Sequence, residues 1–148
     1  MLKENKGVTL VALVITIIVL LILAGVTLSM VVGNNGLFTR AKDSDAEMAA
    51  ATAKEKVSLA VADVQAGAYA DNKTYTEASA VIDAVNASLL KEDDGYSVDT
   101  TTKEIKKTAK DTATAIKDKD GNSVYANITV STAGVIKVEF SKTAPAGK

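Results

Sequence analysis

The main feature of the hydrophobic pattern is a run of 25 uncharged, mostly apolar residues from Val8 to Val32. As an α-helix this run would be about 37 Å long, and about 20 apolar residues suffice to cross the hydrocarbon core of a bilayer. A secretory signal has a shorter apolar region, of about 7–15 residues. The run therefore predicts a membrane-spanning helix, the alternative being a core helix that so small a protein would have difficulty covering.

Beyond this run the pattern changes to that of an amphipathic helix. The sequence Gly33-Asn34-Asn35-Gly36 predicts a helix break, because glycine and asparagine tolerate backbone angles that other residues avoid. A stripe of small apolar residues follows at steps of three and four, which predicts a helix that ends near Gly67. The stripe consists of Ala46, Ala50, Ala53, Val57, Val61, Val64 and Ala68.

The C-terminal half shows the signals of a short helix followed by strands. Thr74-Tyr75-Thr76-Glu77 has the spacing of a capping box, which predicts a second helix that stops at Asp94-Gly95. Its expected apolar face is Ala78, Val81, Ile82, Val85 and Leu89. Period-two alternation predicts strands over 124–130 and 136–141, joined as a hairpin by 131–134.

Two further strands are predicted from weaker signals. A strand over 112–117 is expected to pair with 124–130 through the Asp120-Gly121-Asn122 turn, and 96–100 is a possible fourth strand. The stretch 101–110 is rich in Thr and Lys, and we assign no structure to it. The predicted fold class is α+β, with a long N-terminal helix packed against a small antiparallel sheet of three to four strands.

Composition argues against catalysis. The chain has no histidine and no cysteine, so the usual neutral-pH base, thiol nucleophiles and thiolate metal sites are missing. The net charge is −1, and there are four Tyr, two Phe and no Trp, which gives neither a basic stripe nor stacking platforms for nucleic acid. We expect a protein that is not an enzyme, takes no cofactor and does not bind nucleic acid.

The residues before the apolar run resemble a known processing site. Lys6-Gly7-Val8-Thr9-Leu10, placed after a short polar leader, is similar to the site at which type IV prepilins and pseudopilins are cut. The resemblance implies cleavage of the Gly7–Val8 bond by a prepilin peptidase. It divides the chain into a leader (1–7), an apolar transmembrane and filament-core helix (8–33), a hinge with an amphipathic helix (34–68) and a globular head (69–148).

The same resemblance implies a filament. The apolar helix would be stored in the cytoplasmic membrane and then buried among identical helices of a helical homopolymer at the cell surface. An assembly ATPase and its membrane platform would act as partners, and Gly33 and Gly36 would let the stem bend, unless they form an ordinary interfacial loop. The residues expected to pack in the filament core are Val8, Leu13, Ile17, Leu20, Leu21 and Ala24.

One position departs from the family pattern. Ala12 stands where the family usually has a glutamate, and the only proline is Pro145, outside the apolar helix. Subunit registration would then rest on apolar packing, as in a variant that resembles Gram-positive members, or the chain would be a minor or non-polymerising relative. Two alternatives remain: a pseudopilin of a type II secretion-like or DNA-uptake machine, and a single-pass anchored surface protein that binds a ligand.

A weak metal candidate lies in the predicted turn. Asp118, Asp120 and Asn122 offer alternating oxygen ligands, and the resemblance adds that major pseudopilins hold calcium in a loop of the head. An EF-hand, however, requires glycine at its sixth and glutamate at its twelfth position, where this chain has Ser123 and Thr129. We therefore expect a hairpin turn selected for its backbone angles, with no metal assigned.

The processing hypothesis predicts the N-terminus of the protein isolated from its own cells. Mass spectrometry is expected to find chains that begin at Val8, because the leader lysines are removed before assembly. A retained Met1–Gly7 segment would support the anchored alternative instead, and leader-bearing chains in filaments would mean polymerisation without the cut.

Overall fold

The computed structural model describes residues 10–33, 36–91, 95–109 and 112–146. The chain forms two compact units, Met1–Lys42 and Asp43–Lys148. The elements are α1 (Leu10–Val32), α2 (Leu37–Ala70), α3 (Ala78–Lys91), β1 (Tyr96–Val98), β2 (Ile105–Ala109), β3 (Thr112–Ala115), β4 (Tyr125–Val130) and β5 (Ile136–Ser141). The α+β class, with a long N-terminal helical stretch and small antiparallel sheets, is confirmed, and the described residues form a three-stranded and a two-stranded sheet.

The predicted stripe on α2 packs into the core of the second unit. Six of its seven residues are buried, together with Ala60, and Ala46 is half-buried. Alanine and valine dominate this face, so the helix backbone lies close to the elements it packs on. The cluster joins α2 to α3 and the strands through Ile82, Ile105 and Ile128, which are at most 1% exposed.

The predicted end of α2 at Gly67 is wrong by three residues. Gly67 is helical, and the residue with positive φ is Asn72, at 51°. The Lys73 N–H donates to the Ala68 carbonyl at 2.8 Å and the Asn72 N–H to that of Tyr69 at 3.4 Å, which together make a Schellman motif. Asparagine therefore takes the role that the sequence reasoning gave to glycine.

The start of α3 also differs from the prediction. The helix begins at Ala78, and the Val81 N–H donates to the Glu77 carbonyl, so Glu77 rather than Thr74 immediately precedes the helix. The predicted apolar face is nevertheless correct, since Val81, Ile82, Val85 and Leu89 are buried and Ala78 is half-buried. Gly95, with φ of 64°, follows α3, while Asp94 lies outside the described residues.

The C-terminal hairpin is confirmed. Strands β4 and β5 pair antiparallel from Tyr125↔Ser141 to Val130↔Ile136. In the turn the Ser131 N–H donates to the Val135 carbonyl at 2.9 Å, and Gly134 has φ of 76°. Alternation places Ala126 and Ile128 in the core.

The other sheet corrects two predictions. Its order is β1-β2-β3, so β3 pairs with β2 and not with β4, and the central strand β2 lies in the stretch to which no structure was assigned. Ile105 explains β2, because this one large apolar residue is completely buried although polar residues stand on both sides of it in the sequence. The predicted 120–122 turn does form. Lys117 and Ser123 pair across it in an isolated bridge and the Val124 N–H donates to the Ile116 carbonyl at 3.0 Å, but the pairing does not continue into β3 and β4.

Three polar side chains fix the helices of the second unit to their neighbours. Asn86 of α3 bonds both backbone groups of Val98, donating to its carbonyl at 2.9 Å and accepting from its N–H at 2.8 Å. Gln65 of α2 accepts from the Ile136 N–H at 2.6 Å. Ser88 donates to Asp63 at 2.9 Å and links the two helices. The first two contacts satisfy backbone groups at the ends of β1 and β5.

The structure predicts that Ile105 is essential to the second unit. Ile105→Ala should lower the free energy of unfolding by about 2–5 kcal/mol, because it leaves a cavity at the centre of the core. Chemical denaturation of the detergent-solubilised protein measures the change. Thr114→Ala on the exposed strand β3 is the control and should change the free energy by less than about 0.5 kcal/mol. Equal effects would contradict this core.

Candidate assembly helix and the Asp118 loop

Helix α1 presents an apolar surface on every side. Its 23 residues include no charge, and none of them is buried. Its best 18-residue window has a mean hydropathy of 3.1, and no other helix in the described part of the chain is both long and apolar enough to cross a membrane, judged by length and composition. A core helix passes the same test, but such a helix is mostly buried.

Two of the three hydroxyl side chains of α1, those of Thr16 and Thr27, are satisfied within the helix. The Thr16 hydroxyl donates to the Leu13 carbonyl and the Thr27 hydroxyl to the Leu23 carbonyl, both at 2.7 Å. Hydroxyls returned to the backbone in this way add little cost in a surrounding without water. The surface left for contact is therefore almost entirely hydrocarbon.

The structure places the predicted packing residues along α1 without distinguishing them from their neighbours. Leu13, Ile17, Leu20 and Leu21 are between 49% and 67% exposed, and Ala24 is exposed as well. Leu10 begins the helix, whereas the processing residues Lys6–Thr9, including Val8, lie outside the described residues. Gly25 follows Ala24, and a Cβ added to it would meet nothing within 4 Å.

Between α1 and α2 the backbone folds closely on itself. The Gly33 N–H donates to the Ser29 carbonyl at 2.9 Å and the Gly36 N–H to the Gly33 carbonyl at 2.6 Å. A Cβ on Gly33 would stand 2.7 Å from the Ser29 oxygen, and one on Gly36 would stand 2.8 Å from the Gly33 oxygen. Glycine is thus required at both positions for steric reasons. Whether the stem bends here during assembly stays a prediction.

The Asp118 loop is held by the Asp118 carboxylate. One carboxylate oxygen accepts the backbone N–H groups of Asp120 and Asn122, each at 2.9 Å, and the other lies 2.7 Å from the Lys142 Nζ. Lys142 also lies 3.4 Å from Asp120. Only 9% of Asp118 is exposed, and Gly121 supplies the φ of 80° that the turn requires.

This geometry gives Asp118 a structural role. Its oxygens already accept donors, and the lysine ammonium occupies the place where a cation would bind. In the described part of the chain no group of three or more Asp, Glu, His or Cys residues is arranged to hold a metal ion. Asp118, Asp120 and Asn122 thus lie in one turn, in which Lys142 pairs with the two carboxylates.

The lysine partners of Asp118 and Asp99 were not predicted from the sequence. Lys142 ties the segment after β5 to the loop before β4, and Lys106 bonds Asp99 at 2.6 Å in a second turn of the same design. In that turn one Asp99 oxygen accepts the N–H groups of Thr101 and Thr102. The available signal was an Asp in a turn, because an Asp carboxylate there can accept the backbone N–H groups of residues two to four positions later. The lysines have no such local signal, because only the pairing of the strands brings them next to the two carboxylates.

In these Asp–Lys pairs the opposite charges shift pKa values. The Lys142 ammonium, aided by the donors of Asn122 and Asp120, holds the pKa of Asp118 well below its usual range, and Asp118 in turn raises the pKa of Lys142. Lys106 and the Thr102 and Thr101 N–H groups depress the pKa of Asp99 in the same way. Both carboxylates thus stay ionised in the folded protein at neutral pH.

Comparison of this chain with protein-family models, with curated proteins and with solved structures gives no match.

The depressed pKa of Asp118 predicts a loss of stability in acid. A depressed carboxyl pKa contributes stability above the unfolded value, about 3.9, and that contribution is lost as the pH falls below it toward the folded value. Asp118→Asn should weaken this dependence, because the amide keeps an oxygen acceptor but cannot titrate. Denaturation across the acid range measures it. Asp83→Asn, at an exposed position on α3, should leave the dependence unchanged, and an unchanged slope in Asp118→Asn would contradict the assignment.

Proposed function

We propose that this chain is the structural subunit of a type IV pilus-like filament at the cell surface, assembled through α1. The observation that carries the proposal is the uncovered apolar surface of α1, a 23-residue helix with no charge and no buried residue. Exposing this surface to water costs about 25 cal/mol for each Å². The helix must therefore be covered, first by lipid and then by copies of itself.

Two features of the chain favour a filament over a permanent anchor. Ala24 and Gly25 give α1 a point of small cross-section near its middle, where backbones of neighbouring helices can approach closely. The Lys6-Gly7-Val8-Thr9-Leu10 sequence resembles a prepilin processing site, and removal of the lysines would free the helix to leave the bilayer. The proposal includes a prepilin peptidase, an assembly ATPase and a membrane platform as partners.

Ala12 favours a second candidate function. A glutamate at this position would fix the stagger between neighbouring subunits, whereas alanine leaves the register to apolar contacts alone. A short pseudopilus of a secretion-like or DNA-uptake machine needs less regularity than a long pilus. A head anchored by α1 that never polymerises needs none. Electron microscopy of surface material that contains this polypeptide separates the three by long fibres, short stubs or neither.

A bulky substitution tests the packing of α1 without changing its affinity for the membrane. Ala24→Phe keeps the helix apolar and uncharged, so the precursor should enter the membrane normally. In a filament the added ring overpacks the helix interface, at a cost of about 1–3 kcal/mol for each contact. We expect normal membrane levels and few or no filaments, measured by alkaline extraction of membranes and by microscopy of sheared surface material.

The matched control is Val26→Phe, which places the same ring on the other side of α1 and adds less volume. Val26 is 58% exposed in the single chain. We expect this variant to enter the membrane equally and to retain more filament than Ala24→Phe. Normal filaments in Ala24→Phe would contradict close packing at Ala24, and a membrane defect common to both variants would show that the ring acts on insertion.

A further inference from the structure

The second unit contains an open cleft that filament assembly does not explain. It has a volume of about 690 Å³ and lies where α3 begins, beside the turn after β1, strand β4 and the segment after β5. Ligand sites in proteins commonly have volumes of about 300–1,000 Å³. The lining residues of the cleft come from four segments: Ala78 and parts of 100–103, 127–129 and 145–146.

Four polar side chains in this cleft have unused hydrogen-bonding capacity. Within the described part of the chain, the hydroxyls of Thr100, Thr101 and Thr129 and the amide of Asn127 have no hydrogen-bond partner. By contrast, the side-chain amide of Asn86, on the neighbouring helix, is already hydrogen-bonded to the backbone of Val98. Each hydroxyl can donate once and accept twice, and the amide can donate and accept twice. The cleft thus offers several donors and acceptors to one guest.

The charge of the cleft is positive, although the chain from Asp43 onward has 17 acidic and 13 basic residues. Lys103 is the only ionised side chain among the described residues that line it. Its Nζ donates to the Thr100 carbonyl, which leaves two of its three protons for a ligand. Lys103 has φ of 63°, a conformation in which glycine or asparagine would be less strained.

The remaining lining is aliphatic. Ile128 lies beneath the cleft with only 1% of its surface exposed, so the accessible aliphatic surface is the wall formed by Pro145 and Ala146. Such a surface can pack on the C–H face of a pyranose ring, while the polar side chains bond the ring hydroxyls. A guest that uses every group must have many hydroxyls, an apolar face and one negative charge.

We propose that this cleft binds an acidic saccharide, with the sugar carboxylate on Lys103 and the ring hydroxyls on Asn127 and the three threonines. A neutral sugar offers no negative charge to the two remaining protons of the Lys103 ammonium. An acidic peptide has too few hydroxyls for the four polar side chains. The proposal does not depend on whether the chain polymerises.

The test uses the full-length chain in a detergent without sugar headgroups, so that the detergent does not compete. Digalacturonic acid is the probe, galactobiose its neutral counterpart and a triglutamate peptide the anion without hydroxyls. Calorimetry gives the affinities, and amide chemical shifts locate the contact. We expect digalacturonic acid to bind at least about tenfold more tightly than either control and to shift the amides of residues 100–103 and 127–129.

Single-site variants test which side chain contacts which part of the ligand. Lys103→Gln should weaken digalacturonic acid about tenfold and leave galactobiose unchanged, because it removes only the charge. Thr129→Val should weaken both sugars, and Lys117→Gln, at an exposed lysine outside the cleft lining, should weaken neither. No shift in the cleft at millimolar digalacturonic acid would overturn the proposal. Equal binding of triglutamate, or an equal loss in Lys117→Gln, would overturn it as well.

Discussion

The apolar surface of α1 is the constraint on which the other features depend. A helix with no charge, no buried residue and self-satisfied threonines has no stable state in water. Lipid or other apolar helices must cover it. Because lipid tails are as apolar as leucine side chains, exchanging one cover for the other costs little, and close packing at small residues can decide the balance.

The second unit is built so that it does not need α1 for its own core. Its core joins the alanine and valine face of α2 to α3 and to strands of both sheets, with Ile105 at the centre. Polar side chains then fix the backbone: Asn86 bonds β1, Gln65 bonds β5 and Asp118 closes its turn with Lys142. A core that is complete in itself allows the apolar helix to change its surroundings while the head stays folded.

Local patterns predicted the elements well and their pairing less well. The apolar run, the stripe on α2 and the alternation in β4 and β5 each depend on the periodicity of one segment, and each was found. Strand β2 was missed because Ile105 is its only large apolar residue, and β3 was given the wrong partner because a nearby turn suggested β4. Strand pairing is set by the whole core, which no single segment shows.

The candidate sites were likewise predictable where they depend on one segment and not where they combine several. The residues of the Asp118 turn were identified from their spacing, whereas Lys142 lies 24 positions away and joins them only through the register of β4 and β5. The end of α2 was misplaced because glycine was expected to take the left-handed conformation that Asn72 takes. The polar cleft draws its residues from four separate segments, none of which has a motif of its own.

The most direct test of the account asks what covers α1 in the cell. The chain has no cysteine, so Leu20→Cys places a single thiol on α1. If sister helices cover α1, mild oxidation of intact cells should give disulfide-linked dimers of this polypeptide in the sheared surface fraction. If only monomers are found, confined to the membrane fraction, lipid is the permanent cover and the assembly account is wrong.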